Sequence, residues 1–544
     1  MKSLALRLRY ILIGCAIGIV LLPSTVHAQV TPEVFQCPST PLGNPLEGSM
    51  WNGWGVDTSN TRYQSAEAAG LAAEDVERLT LKWAYGFTED QFVSSQPTVV
   101  GGRIYIGTGP GGIRSLDAET GCEYWRFPAH AIVRTAISIG VMHGTTPTRY
   151  AAYFGDLQGN VYAVDAETGT HLWTKRVDVH PYTRITGAPT LFEGRLYVPV
   201  SSLEEAATAS PEYECCTFRG QVVAYDAATG DEIWRTYMID DIPQPTGTSI
   251  SGRRLWAPSG AAIWSAPTID PARGVLYVAT GDAYTEPAAD TSDAVVALDL
   301  ATGRTVWVQQ TTANDVYVVG CDDDTNRGSH CPEVLGPDYD FGQSPILRQL
   351  PNGRSILAIG QKSGIGWGMD PDQEGAILWQ NEIGLGGVNG GLQWGSAADA
   401  EHVYFANSDI THGPTLAGGL AAVNLQTGQR AWYVRPPAVP CASPNDRRCV
   451  QAQSAAVTLI PGVVFSGATN GIMRAYATSD GRILWTQQTW QDYETVNGVP
   501  ASGGSLDGGG ATVVNGMVYM YSGYAMIRSG TPGNVLLAFA VPNP

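Results

Sequence analysis

Nine cysteines lie in the 544 residues, and their spacing decides what sulfur chemistry is open to them. Cys15 falls in an N-terminal apolar run. The other eight form an even set, which in an exported chain argues for disulfides rather than free thiols. Cys321 with Cys331, and Cys441 with Cys449, are close enough to staple local loops. Cys215 and Cys216 are adjacent, so they either close a strained ring with each other or bond elsewhere. Cys37 and Cys122 then pair by elimination or stay free. No C-x-x-C-H occurs, so the chain carries no standard covalent c-type haem. A formal net charge of -19 leaves no electrostatic footing for nucleic acid, whose phosphates need clustered Lys and Arg, and suits a neutral substrate or a basic protein partner.

The elements that must position any site announce themselves by repetition. The segment SLDAETGCEYW, ending at Trp125, recurs as AVDAETGTHLW to Trp173, AYDAATGDEIW to Trp234 and ALDLATGRTVW to Trp307. Looser copies end at Trp379, Trp432 and Trp485, making seven. Each copy is an alternating strand, a polar turn with Gly where a left-handed residue is needed, and a second strand closing on Trp, hence a hairpin. Runs such as GRIYIGT, GRLYVPV and GVLYVAT upstream of most copies add the strands that make a four-stranded antiparallel unit, a propeller blade. An eighth hairpin is split between LTLKWAYGF, with Trp83, and VLLAFAV near the C-terminus, so the termini would share one blade and close the ring without an exposed edge. The expected fold is all-β, an eight-bladed β-propeller. The repeat Asp positions at 117, 165, 226 and 299 are unevenly spaced, so the third and fourth copies carry extra loop residues where a site can be built.

The N-terminus has the zones of a secretory signal: Lys2, Arg7 and Arg9, an apolar run from Tyr10 to Leu22, and Val26-His27-Ala28 before Gln29. Residues 1–28 are therefore read as a signal peptide and 29–544 as a single propeller domain. Leu12-Ile13-Gly14-Cys15 also has the form of a lipoprotein signal, but the apolar run before Cys15 is too short. No later segment has the roughly 18 apolar residues of a spanning helix, and the mature chain is expected in the periplasm.

The repeat core D-A-x-T-G-x-x-x-W, the start WNGWGVDTSNTRY and the segment AAIWSAPTIDPARGVLYVATGDAYT resemble the pyrroloquinoline quinone (PQQ)-dependent alcohol dehydrogenases across essentially the whole mature chain. Within that family, SSLEEAATASPEYECCTFRGQVVAYDAATG is similar to the polyvinyl alcohol dehydrogenase branch. The resemblance implies PQQ and calcium as cofactors. It places Trp264, which lies outside the repeat register, as the floor under the flat quinone, where an indole can stack. It places Glu205, or its neighbour Glu204, with Asp282 and Asp315 at the cation, which wants hard oxygen ligands; Asp282 stands where the family has Asn. The general base falls on Asp315, although the usual base lies three residues later, at Val318 here; Asp322 to Asp324 are the alternatives. Lys362 stands beside the reactive quinone carbonyl, where a cation stabilises developing negative charge. Arg134, Thr186 and Gln393, the last in place of a family Asn, fall at the cofactor's polar edge. The family's vicinal cysteines over the quinone face are replaced by Ile137 and Ser138, and Cys215-Cys216 is expected to reach the same funnel from the loop after Glu205.

These residues imply oxidation of an alcohol, secondary or polymeric, by hydride transfer to the quinone, with electrons passing to a soluble cytochrome c. The rivals are a non-catalytic scaffold propeller of the outer-membrane assembly type, because fold alone does not fix function, and a PQQ dehydrogenase for small alcohols or sugars. A lanthanide in place of calcium stays open.

Overall fold

A computed structural model describes residues 35–88, 95–109, 111–321, 328–439, 449–525 and 530–542. The leader, Cys15, Asp322 to Asp324 and Cys441 lie outside them. Among the described residues no helix is long and apolar enough to cross a membrane.

The strands group into eight antiparallel blades. Blade 1 runs Thr98–Val100, Arg103–Gly107, Ile113–Asp117, Glu123–Phe127, and the pattern repeats around the ring. The eighth blade is composite as expected: Thr512–Val514, Met517–Ser522 and Val535–Ala540 are completed by the N-terminal Thr80–Gly86, paired from Thr80 with Ala540 to Gly86 with Val535. That pairing satisfies the edge of the last strand and closes the ring.

Each residue of the repeat has a local task. The Asp accepts from the amides of its own turn, as Asp117 does from Thr120 N at 2.8 Å, which holds the hairpin. The Gly takes a positive φ, 73° at Gly303, and the Trp ring of the preceding blade packs on it so closely that a Cβ there would lie 2.5 Å from Trp234. The indole N–H then donates to a backbone carbonyl of the next blade: Trp125 to Ala166, Trp173 to Ala227, Trp234 to Leu300, Trp379 to Leu425 and Trp432 to Thr478. Trp485 donates to Leu79 and carries the same joint across the split blade. Aliphatic strands fill the space between blades, as Val222 and Ala224 do with Leu276, Val278, Val296 and Leu298 between blades 3 and 4.

The extra residues of the third and fourth copies form segments 203–220, 238–267, 280–293 and, among the described residues, 311–321 and 328–345, and they interlock. Trp256 N donates to Cys215 O at 2.7 Å, Val319 N to Glu205 O at 3.1 Å, and Ser251 Oγ to Pro211 O at 2.6 Å. The Cys321–Cys331 and Cys215–Cys216 disulfides lie in these segments, and Cys37–Cys122 ties the N-terminal stretch to blade 1.

Candidate active site

A cavity with about 850 Å³ of empty volume opens beside these segments. Trp264, just before the blade 4 strand Thr268–Asp270, forms one wall. Its ring lies against Gly342, where a Cβ would sit 2.3 Å from the indole. Only glycine permits that approach. Trp394 meets Trp264 edge to face at 5.1 Å and 83°, and the Arg134 guanidinium covers Trp394 at 4.2 Å from its centroid. Thr186 also lines this part, its Oγ1 2.7 Å from Ser201 Oγ. Gln393 lines it with a buried Oε1 that has no hydrogen-bond partner. Lys362 Nζ lies 5.6 Å from the Trp264 centroid.

Lys362 is the hinge between this wall and a concentration of carboxylates. Its Nζ donates to Asp338 Oδ1 at 2.6 Å and to Asp340 Oδ2 at 3.0 Å. Asp282 N donates to Asp340 Oδ1 at 2.7 Å, and carboxylate oxygens of Asp282, Asp338 and Asp340 lie within 4.8 Å of one another. Glu205, Asp282 and Asp340 line the cavity. Burial, reinforced by Asp340 and Glu205, pushes the Asp282 carboxyl well up; burial also pushes Asp338 well up, against the pull of Lys362. Glu205 is pushed up to about 7, first by burial and then by Asp340. Burial opposes charge on Lys362, but Asp338 and Asp340 hold it firmly protonated. One ammonium does not balance four carboxylates, and Asp282 Oδ2 is buried without a partner. An oxygen-rich, anionic, under-satisfied cluster suits a hard cation.

The short helix Glu204–Ala207 separates its two acids. Glu204 turns inward, fully buried, and accepts from Tyr213 Oη at 2.7 Å, Thr217 N at 2.9 Å and Phe218 N at 2.8 Å, with His180 Nε2 at 3.3 Å. Despite burial, His180 and Tyr213 keep its carboxyl below the usual range. Glu205 faces the cavity.

Two sets of expected residues lie away from the cavity. Asp315 does not line the cavity: it is fully buried, and its oxygens accept from Asp338 N at 3.1 Å and Tyr339 N at 2.7 Å. It supports the turn that presents Asp338 and Asp340, the acids the sequence reading missed. Their signal was the D-Y-D triplet of GPDYDFG. Cys215 and Cys216 do not line the cavity either; they are buried in the hydrophobic cluster that contains Ala262, Tyr284 and Val318. The loop carrying them folds back onto Leu255 and Trp256, which draws the pair behind the wall.

The sequence of residues 51–325 matches the family described as PQQ, glucose/ethanol/alcohol dehydrogenase, β-propeller domain. Residues 364–535 match the family of the outer membrane protein assembly factor BamB. The fold is that of the quinohemoprotein alcohol dehydrogenase from Comamonas testosteroni, at a TM-score of 0.67 and 19% identity, covering 94% of this chain and 83% of that one. These matches define a quinoprotein propeller. The polyvinylalcohol dehydrogenase of a Pseudomonas species is 42% identical over 500 residues, 90% of this chain and 77% of the relative. That of Sphingopyxis sp. (strain 113P3) is 40% identical over 519 residues, 93% and 79%. The chain belongs to the PQQ-dependent alcohol dehydrogenases, in the polyvinyl alcohol dehydrogenase branch, and is an oxidoreductase.

Proposed function

We propose that the chain oxidises secondary alcohols, polyvinyl alcohol among them, with PQQ and calcium bound in the Trp264 cavity. The observation that carries this is the convergence of Lys362, Glu205, Asp282 and Asp340 beside the Trp264 indole. PQQ would lie against Trp264, with Arg134, Thr186 and Gln393 at its polar edge and Lys362 near its reactive end. When bound, it supplies the carbon that accepts hydride. Glu205, Asp282 and Asp340 would hold calcium, which neutralises their charge and acts as a Lewis acid.

The chain's own part is binding, orientation and proton movement. Asp340 has both oxygens engaged, by Asp282 N and Lys362 Nζ. Asp338 is not itself among the residues lining the cavity but joins it through Lys362, to which it gives one oxygen; among the described residues its Oδ2 has no donor, and in this reading that atom takes the alcohol proton. Lys362 keeps both aspartates in place and presents positive charge toward the developing oxyanion. Asp315 holds the turn beneath them.

Without a haem motif in this sequence, electrons would pass to a separate cytochrome c. The signal-like N-terminus supports a periplasmic location, and a mature N-terminus at Gln29 would mark its cleavage. Protein loaded with PQQ and calcium should reduce an artificial dye with 2-alkanols and polyvinyl alcohol; inertness across a broad alcohol panel refutes the substrate reading.

A further inference from the structure

Beside the carboxylates the cavity has a wall whose rigidity the chemistry above does not use. Tyr284 lines it, two residues after Asp282, on the segment that joins two paired strands of blade 4, Val275–Ala279 and Ala294–Asp299. Its backbone N donates to Ser259 O at 2.9 Å, and its ring stacks on Phe218 with centroids 6.4 Å apart at 27°. One buried carboxylate, Glu204, anchors both supports: it accepts from Phe218 N at 2.8 Å and from Ser259 Oγ at 3.3 Å. Tyr213, against the same carboxylate, spends its hydroxyl on Glu204 Oε1. The Tyr284 hydroxyl is different. It makes no hydrogen bond with any described residue, although the side chain is only 3% exposed. A phenol fixed this firmly and left without a partner is a donor and acceptor held ready for something that enters the cavity.

Its place in the cavity narrows what that is. Tyr284 lies two residues from Asp282 and lines the cavity together with Asp282 and Glu205. Tyr284 thus stands at the end where the alcohol must lie, and a neutral phenol competes poorly with carboxylates for a hard cation. The reacting oxygen is already served by Asp338 and Lys362.

We propose that Tyr284 is a substrate-binding residue that hydrogen-bonds a second hydroxyl of the substrate, the one two carbons from the reacting carbinol, and so selects 1,3-diol units over isolated secondary alcohols. This rests on the alcohol-oxidising reading of the cavity. A site that hydrogen-bonds a substrate hydroxyl discriminates against the analogue lacking it, because the site's own polar group is then left unpaired.

The test uses the enzyme loaded with PQQ and calcium and a matched pair, 2,4-pentanediol and 2-pentanol. The diol should have kcat/KM about tenfold higher, the worth of one neutral hydrogen bond. In Tyr284→Phe, which keeps the ring and its stacking, that ratio should fall toward one. A binding measurement without turnover accompanies it: 2,4-dimethyl-2,4-pentanediol has no carbinol hydrogen to give, and by calorimetry it should bind about tenfold more tightly than 2-methyl-2-pentanol to the wild type and not to the variant. Turnover of both alcohols with no diol preference, or a preference that survives in Tyr284→Phe, overturns the assignment of Tyr284 alone. Inertness toward both alcohols overturns the alcohol-oxidising reading and this assignment with it.

Discussion

Removing the cation at two pH values tests the carboxylate cluster directly, through Glu205. Its carboxyl moves from an ordinary 4.5 to about 7 in the folded protein free of metal, chiefly by burial and the neighbouring Asp340. Below 4.5 both folded and unfolded chains keep the proton, and the displacement has no effect on stability. As pH rises toward 7 the unfolded chain ionises while the folded one holds its proton, so stability falls by up to 1.36 kcal/mol per pH unit, for a total of about 3 kcal/mol. Above 7 the loss is complete for this group. Asp282 and Asp338, also pushed up, act with the same sign. A bound cation stabilises the ionised forms and cancels the penalty, so its stabilising effect must grow with pH. Thermal unfolding in EDTA and in excess calcium, at pH 5 and pH 8, should show a calcium-induced rise in Tm larger at pH 8 by about 3 °C. Glu205→Gln should shrink that difference. An equal calcium effect at both pH values in the wild type, or an unchanged difference in Glu205→Gln, would refute the placement of Glu205 at the cation.

Asp338→Asn should lower kcat at least about 100-fold while the absorbance of bound cofactor persists, whereas Asp315→Asn, which weakens only the grip on the 338–339 amides, should cost about tenfold or less. Equal losses in a steady-state assay would make Asp315 more than a support. Lys362→Met leaves Asp338 and Asp340 without their buried counter-charge and should destabilise the protein by about 3–5 kcal/mol in denaturant titration. Gly303→Ala must place a Cβ against Trp234 at a φ of 73°, and should cost about 1–3 kcal/mol with turnover intact below the transition.

The propeller was legible because the residues of its repeat act within a few positions of themselves or one blade away. Asp117 closes its own turn, and Trp234 docks on the glycine of the next hairpin, so spacing in sequence maps onto spacing in space. The same logic explains why Arg134, Thr186, Trp264, Asp282 and Lys362 arrive at one cavity: each lies within a few residues of a strand, and the ring fixes where such strand ends point. Asp338, proposed above as the proton acceptor, obeys no such register. Residues 311–345 connect blades 4 and 5, and the course of the described part around Asp338 is set by which backbone amides capture which carboxylate. Asp315 lies close to the end of strand Thr305–Gln310, where register would aim it at the site, but the amides of Asp338 and Tyr339 take both its oxygens and turn it away. That capture presents Asp338 and Asp340 to Lys362 in its place. Sequence spacing locates a carboxylate; only the fold of the connection decides whether it is spent on the backbone or left for the substrate.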